Sequence, residues 1–375
     1  MIDMSSHRSP SADALAHIGK LNLVVIADTN YIASAVIDSL PPTLSFFLVG
    51  PKSVAFLRRS KRCLQYFETG LSLDADKADF VQVIEKLSGD FANLFLIPVD
   101  DSANRIIHST FARLRPKTFP IPDSASFELL SDKWLFHQLC SRLKIRVPRT
   151  VMVEDKSALN FERLRAAVGA PLVVKPTNRS NSVGVCVIHS AEQLQQQVLS
   201  NPDYAFSPLL VQEFVHGDDI DVSVFANGGR IKNLAVQVRE ERALCFVENA
   251  QLAAYAERLA SNLGYSGLIH IDARMDKATG EVFVLEANPR FWGSLLEATC
   301  SGLNFVQSGI WASMGYDSAE PATIPQVCIP NFRWSVLEIA ARKKSYSGLT
   351  LPQRLRLKHI MRSSIRKLLH LPEWA

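Results

Sequence analysis

Short apolar runs alternate with helical patterns over the first hundred residues. Residues 31–40 and 78–87 repeat apolar positions at helical spacing, and Pro41 ends the first of these helices. Three continuous apolar runs between them are typical of strands buried on both faces: residues 21–27 (LNLVVIA), 45–49 and 94–99 (LFLIPV). Such alternation predicts a small parallel sheet with helices on both faces. The first strand ends in ADTN without a GxGxxG pattern, so we assign no dinucleotide cofactor there.

A proline-rich stretch at residues 115–122 (RPKTFPIP) predicts a linker, and the pattern changes after it. A helix is predicted from about residue 123 to 143, and further helices at 161–168, at 251–263 and from Ser294 onwards. A short strand is predicted after Pro148, and six more at residues 171–175, 184–188, 209–214, 220–225, 268–275 and 282–286. The first two of these six and the last two form hairpins, which indicates a two-lobed α+β fold after the N-terminal α/β section.

Composition and charge are those of a globular chain. Of the 375 residues, 47% are hydrophobic and 21% charged, and no stretch approaches the roughly 20 apolar residues of a membrane span. Residues 342–367 hold nine Lys and Arg without any Asp or Glu, and removing these nine from the formal charge of +4 leaves −5. A mildly acidic body does not suggest nucleic-acid binding.

The cysteines and the N-terminus bear on the compartment. The six cysteines are scattered, and no two have CxxC spacing, which argues against a zinc site or a disulfide framework. Residues 1–20 lack a continuous apolar segment, so no signal peptide is predicted, and we expect a flexible leader there. These features fit a reducing cytoplasm.

The residues that carry chemistry concentrate in the last predicted hairpin. Glu286 and Asn288 are two positions apart and therefore point to the same side of an extended chain. The hairpin can bring Asp272 of the preceding strand opposite Glu286. Carboxylate and amide oxygens are hard ligands, so the three side chains predict a Mg²⁺ site. His270 lies two residues before Asp272, and an ordinary strand histidine is the alternative to contact with the metal.

Several features in a fixed order resemble the ATP-grasp superfamily of carboxylate ligases over about residues 117–310. The ending Glu286-Ala287-Asn288-Pro289-Arg290, followed by FWGS, resembles the ligase motif. Upstream of it come a lysine in a helix, a lysine at a strand end, a polar loop, and the segment VQEFVHGDD at 211–219. The α/β section before residue 117 resembles the domain that usually precedes this fold.

The resemblance implies nucleotide contacts at these positions. Lys133 and Lys175 correspond to the lysines that contact the phosphates, with a surface lysine as the alternative for each. Backbone groups from Glu213 through Phe214 to Val215 correspond to the adenine-binding segment. Asp219 corresponds to the ribose-binding acid, a role that Asp218 or Asp221 could also take. The loop at 176–185 is poor in glycine for this family, and Ser182 and Gly184 are its expected nucleotide contacts.

The implied reaction converts a carboxylate to an acyl phosphate with Mg-ATP, and an amine then displaces phosphate. Two Mg²⁺ ions held by Asp272, Glu286 and Asn288 are expected, with Mn²⁺ as an alternative. Arg290, together with Lys175, is expected to act on the transferred phosphoryl group. Arg239 and Ser294 mark the expected acceptor pocket. A non-catalytic ATP sensor and an ATP-dependent carboxylase-type enzyme are the alternatives.

The expected organisation is a leader at 1–20, a pre-ATP-grasp domain at 21–116, an ATP-grasp domain at 117–325 and an extension at 326–375. The ATP-grasp domain is expected to divide into lobes at about 123–190 and 191–325. The extension is predicted to contain a basic amphipathic helix. Weak contact with an anionic membrane surface is one hypothesis for this helix, and packing on the acidic body is the other. A homodimer is a further hypothesis from the resemblance.

Overall fold

The computed structural model describes residues 18–73, 75–114, 116–179, 182–241, 243–316 and 322–330. Its first part is a parallel sheet in the order β3-β2-β1-β4-β5. The strands are β1 (Asn22–Ile26), β2 (Phe46–Gly50), β3 (Cys63–Glu68), β4 (Leu94–Pro98) and β5 (Lys117–Thr118). The helices are α1 (Asn30–Ser39), α2 (Lys77–Asp90) and α3 (Asp101–Thr110).

Helices cover both faces of this sheet, as predicted from the alternating pattern. Leu23 and Val25 of β1 belong to an apolar cluster that includes α1. Val24 and Ile26 face the other way, into a cluster that includes α2 and α3. Because successive strand residues point to opposite faces, a strand covered on both sides must be apolar throughout, which explains its uninterrupted run.

A four-stranded antiparallel sheet, called the small sheet below, follows in the order β6-β9-β7-β8. Its strands are β6 (Thr150–Val153), β7 (Leu172–Pro176), β8 (Cys186–Ile188) and β9 (Leu209–Glu213). Helices α6 (Phe161–Val168) and α7 (Ala191–Leu194) pack on it. Strand β9, which falls in the second predicted lobe (191–325), therefore pairs with strands of the first (123–190). The division into lobes stays a prediction.

A seven-stranded sheet, called the large sheet, has the order β14-β13-β10-β11-β12-β16, with β15 beside β11. Its strands are β10 (Gly217–Asn227), β11 (Arg230–Arg239), β12 (Ala243–Val247), β13 (Gly267–Asp276), β14 (Val282–Asn288), β15 (Ala322–Thr323) and β16 (Val327–Pro330). Helix α8 (Ala250–Leu263) packs on one face. Helices α9 (Leu295–Cys300) and α10 (Phe305–Ser313) share the cluster that contains α1, which makes the parallel and large sheets one continuous core.

The helix predicted over 123–143 is wrong as a single element. The structure has two helices, α4 (Ser124–Ser131) and α5 (Lys133–Arg142), separated by Asp132 in an extended conformation. The Asp132 carboxylate accepts hydrogen bonds from the amides of Trp134 and Leu135, each at 2.9 Å. An aspartate that caps a new helix satisfies amides with no partner inside the helix, and this stabilises the break.

The expectation that the cysteines are unpaired is wrong for one pair. Cys245 of β12 and Cys328 of β16 lie opposite each other in antiparallel register, and a disulfide joins them. They are 83 positions apart in sequence. Only strand pairing brings them together, so cysteine spacing could not reveal the bond.

Two regions of the sequence predictions lie outside the described residues. These are the leader through residue 17 and the extension from residue 331, including its basic helix. Among the described residues, no helix is long and apolar enough to cross a membrane.

Candidate active site

One transverse row of polar side chains crosses the large sheet. In register, Gln237 of β11 faces Asp221 of β10, Asp221 faces Asp272 of β13, and Asp272 faces Glu286 of β14. Register partners on adjacent strands point to the same face of a sheet. All four side chains line one cleft of about 590 Å³. The hairpin thus places Asp272 opposite Glu286, as the sequence predicted.

A second row lies beside the first. Ser223, His270 and Asn288 face one another on β10, β13 and β14. The His270 ring stacks on Trp292, with ring centroids 5.6 Å apart. His270 Nδ1 lies 2.9 Å from Ser223 Oγ, and Asn288 Nδ2 donates to Asp272 Oδ2 at 2.8 Å. These contacts fix the orientations of the side chains in the floor of the cleft.

Two buried lysines stand beside Glu286. Lys133 is the first residue of α5, and its amide donates to the carbonyl of Thr177 at 2.9 Å, which ties the helix to the end of β7. Its Nζ lies 3.1 Å from Glu286 Oε2 and donates to the Arg179 carbonyl. Lys175 lies in β7, and the two lysines are 7% and 5% exposed. Neither is the exposed lysine of the alternative interpretation.

The surroundings of Lys175 oppose its positive charge. Burial lowers the pKa of Lys175 to about 8, and Lys133 acts in the same direction, while Glu286 and Asp272 partly oppose the shift. A lysine deprived of water and adjacent to a second ammonium is stabilised by any anion that enters. The cleft therefore favours a polyanionic ligand beside the two lysines.

The carboxylates on the floor differ in their environments. Burial raises the pKa of Asp221 to about 6. Burial also acts to lower the pKa of His270, but Asp272 and Asp221 together raise it above its usual range. Burial acts to raise the pKa of Asp272, but His270 and the cations Arg290 and Lys133 together lower it below its usual range.

Arg290 connects this floor to the parallel sheet. It is 8% exposed, and its Nε donates to Asp101 Oδ2 at 2.7 Å. Its two terminal nitrogens donate to the carbonyl of Phe291 at 2.9 Å and to Asn288 Oδ1 at 3.1 Å. Asp101 is the first residue of α3, a helix that packs on the parallel sheet. It orients a guanidinium in the cleft of the large sheet.

The small sheet forms another wall of the cleft. Beside Lys175 this wall has an apolar part, Val173, Val185 and Val187, and the last two are 41% and 37% exposed. The segment from Gln212 to Val215 continues this wall. Exposed valines on a strand that faces a cleft can pack against a flat apolar ring. The arrangement pairs an apolar slot with a cationic and carboxylate floor.

Known proteins resemble this chain in sequence and in fold. A family model described as ATP-grasp in the biosynthetic pathway with Ter operon matches residues 205–331, and one described as D-ala D-ala ligase C-terminus matches residues 140–245. N5-carboxyaminoimidazole synthetase from Staphylococcus aureus complexed with ADP has a TM-score of 0.66 at 12% identity, covering 86% of this chain and 87% of that one. The chain belongs to the ATP-grasp superfamily.

Other relatives place this ATP-grasp chain among enzymes of different substrates. D-alanine–D-alanine ligase B of Xanthomonas campestris pv. campestris is 28% identical over 46% of this chain and 60% of its own length. The arginine-specific large chain of carbamoyl phosphate synthase from Geobacillus stearothermophilus is 26% identical over 43% of this chain. The chain spans only 16% of that relative, and less than two thirds of either. L-amino acid ligase from Bacillus licheniformis has a TM-score of 0.59 at 16% identity, covering 78% of this chain and 74% of that one.

Nearly all predicted site residues of this ATP-grasp chain line the same cleft. They are Lys133, Lys175, Ser182, Glu213, Phe214, Val215, Asp219, Asp272, Glu286, Asn288 and Arg290. Gly184 is not among the lining residues, and its contact with a nucleotide stays a prediction. It has a φ of +76°, and a Cβ there would lie 2.8 Å from the ring of Phe206, so a side chain would strain this turn.

Two of the predicted nucleotide contacts already have partners. Glu213 pairs with Arg149 at 3.0 Å, and its amide donates to the Arg149 carbonyl at 2.8 Å, so this N–H belongs to the sheet. Asp219 lies 3.4 Å from Arg274 Nε. Asp218 pairs with Lys277 at 3.0 Å and is not among the lining residues, which favours Asp219 or Asp221 over Asp218.

Several lining residues were not identified from the sequence. Tyr31 comes from the start of α1, and Gln237 lies near the end of β11, a strand that the sequence interpretation omitted. Gln237 donates to Asp221 at 3.2 Å and accepts from Ser294 Oγ at 2.9 Å. The apolar run of residues 234–238 (LAVQV), interrupted only by Gln237, was the available signal for β11.

Proposed function

We propose that this chain is an ATP-dependent ligase that activates a carboxylate as an acyl phosphate and joins it to an amine, with release of ADP and phosphate. The observation that carries the proposal is the meeting of Asp272, Glu286 and Asn288 with two buried lysines in one cleft. Phosphoryl transfer depends on positioning and on charge neutralisation, which this set of side chains supplies.

The donor set fits magnesium. Asp272, Glu286 and Asn288 offer carboxylate and amide oxygens, the ligands that Mg²⁺ prefers, and Asp272 faces both Glu286 and Asn288 Nδ2. Bound Mg²⁺ would neutralise the charge that develops on the phosphate oxygens. For Asn288 to offer its oxygen, its amide must exchange the contacts to Asp272 and Arg290. Glu286 must likewise share its carboxylate with Lys133.

The two lysines are proposed to bind phosphates. Their ammonium groups are buried, and the carboxylates that act on both, Glu286 and Asp272, are the ones proposed to bind Mg²⁺. With those carboxylates on the metal, phosphate oxygens would supply negative charge to the lysines. The apolar slot of Val173, Val185 and Val187 would then hold the adenine ring, with backbone groups of residues 213–215 at its edge.

Arg290 is proposed to hold the transferred phosphoryl group. Its contacts to Asp101, Phe291 and Asn288 fix the guanidinium plane before any ligand arrives. A carboxylate oxygen of the substrate attacks the γ-phosphorus and the bond to the ADP oxygen breaks. The amine nitrogen then attacks the acyl carbon, loses a proton, and phosphate leaves. Arg239, Gln237 and Ser294 line the cleft near this end and are the proposed acceptor contacts.

The test is ADP and phosphate release from Mg-ATP across a panel of amino acids, small carboxylates, amines and bicarbonate. Release that requires both a carboxylate and an amine, and a product carrying the new amide bond in mass spectrometry, would support the ligase. Release with bicarbonate alone would support the carboxylase-type alternative. ATP binding without turnover on any member would support the sensor alternative.

Variants on the same hairpin provide the control. Glu286→Gln removes one proposed metal-binding charge while keeping the shape, and we expect at least a 100-fold loss of turnover. Glu281→Gln changes an exposed glutamate, 2.7 Å from Arg146, near the turn of the hairpin. It should leave turnover within about twofold, because surface ion pairs contribute little. Equal turnover in wild type and Glu286→Gln would refute the assignment of the metal site.

A further inference from the structure

Asp221, His270 and Asp272 form a compact cluster that shares Asp272 with the proposed magnesium ligands. One ligand atom from each lies within 4.8 Å of the others. We propose that this cluster, called the histidine cluster here, is a site for a divalent transition-metal ion such as Zn²⁺, with a ligand set that differs from that of magnesium. The site is proposed to fill without nucleotide, so the proposal does not depend on the ligase function.

The spacing suits one ion. Ligand atoms at about 2.0–2.2 Å from a metal lie no more than about 4.4 Å apart when they stand on opposite sides of it. His270 Nε2 and Asp272 Oδ1 already face each other at 3.4 Å. Asp221 lies opposite Asp272 in the strand register and completes the triangle. Small side-chain movements therefore suffice to bring three donors to one point.

Each donor is held by a neighbour through its other polar atom. Ser223 Oγ contacts His270 Nδ1 at 2.9 Å, which leaves Nε2 directed toward Asp272. Gln237 donates to Asp221 Oδ2 at 3.2 Å, and Asn288 donates to Asp272 Oδ2 at 2.8 Å. Metal-binding histidines and carboxylates in proteins are oriented by hydrogen bonds of this kind. The stack of His270 on Trp292 fixes the ring plane as well.

The donor types select the ion. Imidazole nitrogen suits zinc and several other transition ions, whereas Mg²⁺ prefers oxygen ligands throughout. Asp221 lies across Asp272 from Glu286 in the strand register, so the histidine cluster and the magnesium ligands share only Asp272. The two sites should therefore differ both in ion preference and in the variants that abolish them.

The competing explanation needs no metal. A protonated His270 between two carboxylates would offset one of their two negative charges and hold the cluster together by itself. That arrangement and a bound ion make opposite predictions for metal titrations, and the following experiment separates them.

The experiment is isothermal titration of Zn²⁺ into full-length, tag-free protein without nucleotide. The buffer contains no Mg²⁺, because Asp272 belongs to both ligand sets and bound Mg²⁺ would compete for it. We expect one ion per chain for the wild type. Asp221→Asn and His270→Gln should each weaken binding at least about tenfold, because each removes a direct ligand, and Ser223→Ala should weaken it less. Thermal unfolding of each variant in excess chelator checks that the fold is retained.

Glu286→Gln distinguishes the two sites. It removes a proposed magnesium ligand outside the histidine cluster, so Zn²⁺ affinity should stay within about threefold of wild type. Loss of Zn²⁺ binding in Glu286→Gln equal to that in His270→Gln would place the ion at the magnesium ligands and overturn the proposal. Wild-type protein that does not bind Zn²⁺ would overturn it too, in favour of the protonated histidine.

Discussion

Binding of Mg-ATP should draw a proton onto Lys175 at mildly alkaline pH. Burial lowers the pKa of this lysine from 10.5 to about 8 in the unliganded protein. A phosphate group beside Nζ would favour the charged form and return the pKa toward its usual value. The free protein holds about half a proton on Lys175 at pH 8 and about a tenth at pH 9, by the usual titration curve. Uptake on binding should therefore approach about 0.1 proton at pH 7, 0.5 at pH 8 and 0.9 at pH 9.

The same shift has a consequence for stability. A lysine whose pKa is lowered in the folded state costs free energy at every pH below that value, and the cost disappears as the pH rises toward the unfolded pKa. A change from 10.5 to about 8 corresponds to about 3 kcal/mol. The free energy of unfolding attributable to Lys175 should thus rise between pH 8 and 10.5, where the unfolded chain binds more protons.

The assay is calorimetric titration of Mg-ATP in pairs of buffers with different ionisation enthalpies at pH 7, 8 and 9. The slope of the observed enthalpy against buffer enthalpy gives the protons taken up. Lys86→Met, in α2 on the exposed surface, is the matched control and should reproduce the wild-type slopes. Lys175→Met should weaken Mg-ATP binding, and its proton uptake should not increase between pH 7 and 9. Proton uptake by the wild type that stays constant or falls over this range would refute the inferred environment of Lys175.

Three further perturbations have defined outcomes. Asp101→Asn leaves the buried Arg290 without its carboxylate and should cost about 1.5–3 kcal/mol of unfolding free energy in urea, with a fall in kcat larger than any rise in KM. Val187→Asp places a charge in the apolar slot, and calorimetry should show ATP affinity falling about tenfold or more with thermal stability nearly unchanged, because the position is 37% exposed. Cys328→Ser opens the bond to Cys245 and should lower the unfolding free energy by about 2–4 kcal/mol without reductant and by much less with dithiothreitol. Equal losses with and without reductant would show that packing, and not the bond, stabilises this strand pair.

The strand-end motifs were the part of the site that the sequence could predict. Glu286 and Asn288 share a face because strands have a period of two. The register set by the turn at residues 276–280 holds as far as Ala273 and Val284, and a β-bulge then shifts it by one residue and brings Asp272 opposite Glu286. Both relations are local, within one hairpin, but only the first follows from the sequence pattern. The apolar runs of β1 and β4 were equally clear, because strands covered on both faces leave no polar positions.

Relations between distant strands were not predictable in the same way. The row from Gln237 to Glu286 needs the order of four strands, and no pattern inside a single strand specifies which neighbour it takes. The contact of Asp101 with Arg290 joins residues 189 positions apart. The break at Asp132 was missed for a different reason, since the apolar periodicity continues across a residue that caps a new helix.

The break at Asp132 illustrates how the site depends on these non-local relations. An uninterrupted helix would satisfy its own amides, and Lys133 would be an ordinary interior position. The cap instead starts α5 at Lys133 and leaves its amide free to donate to Thr177, just after β7, the strand that carries Lys175. Two lysines 42 positions apart are thereby fixed beside one glutamate. We infer that the local cost of interrupting the helix is offset by this placement, because a lysine on an uninterrupted helix could not be both buried and tied to the end of β7.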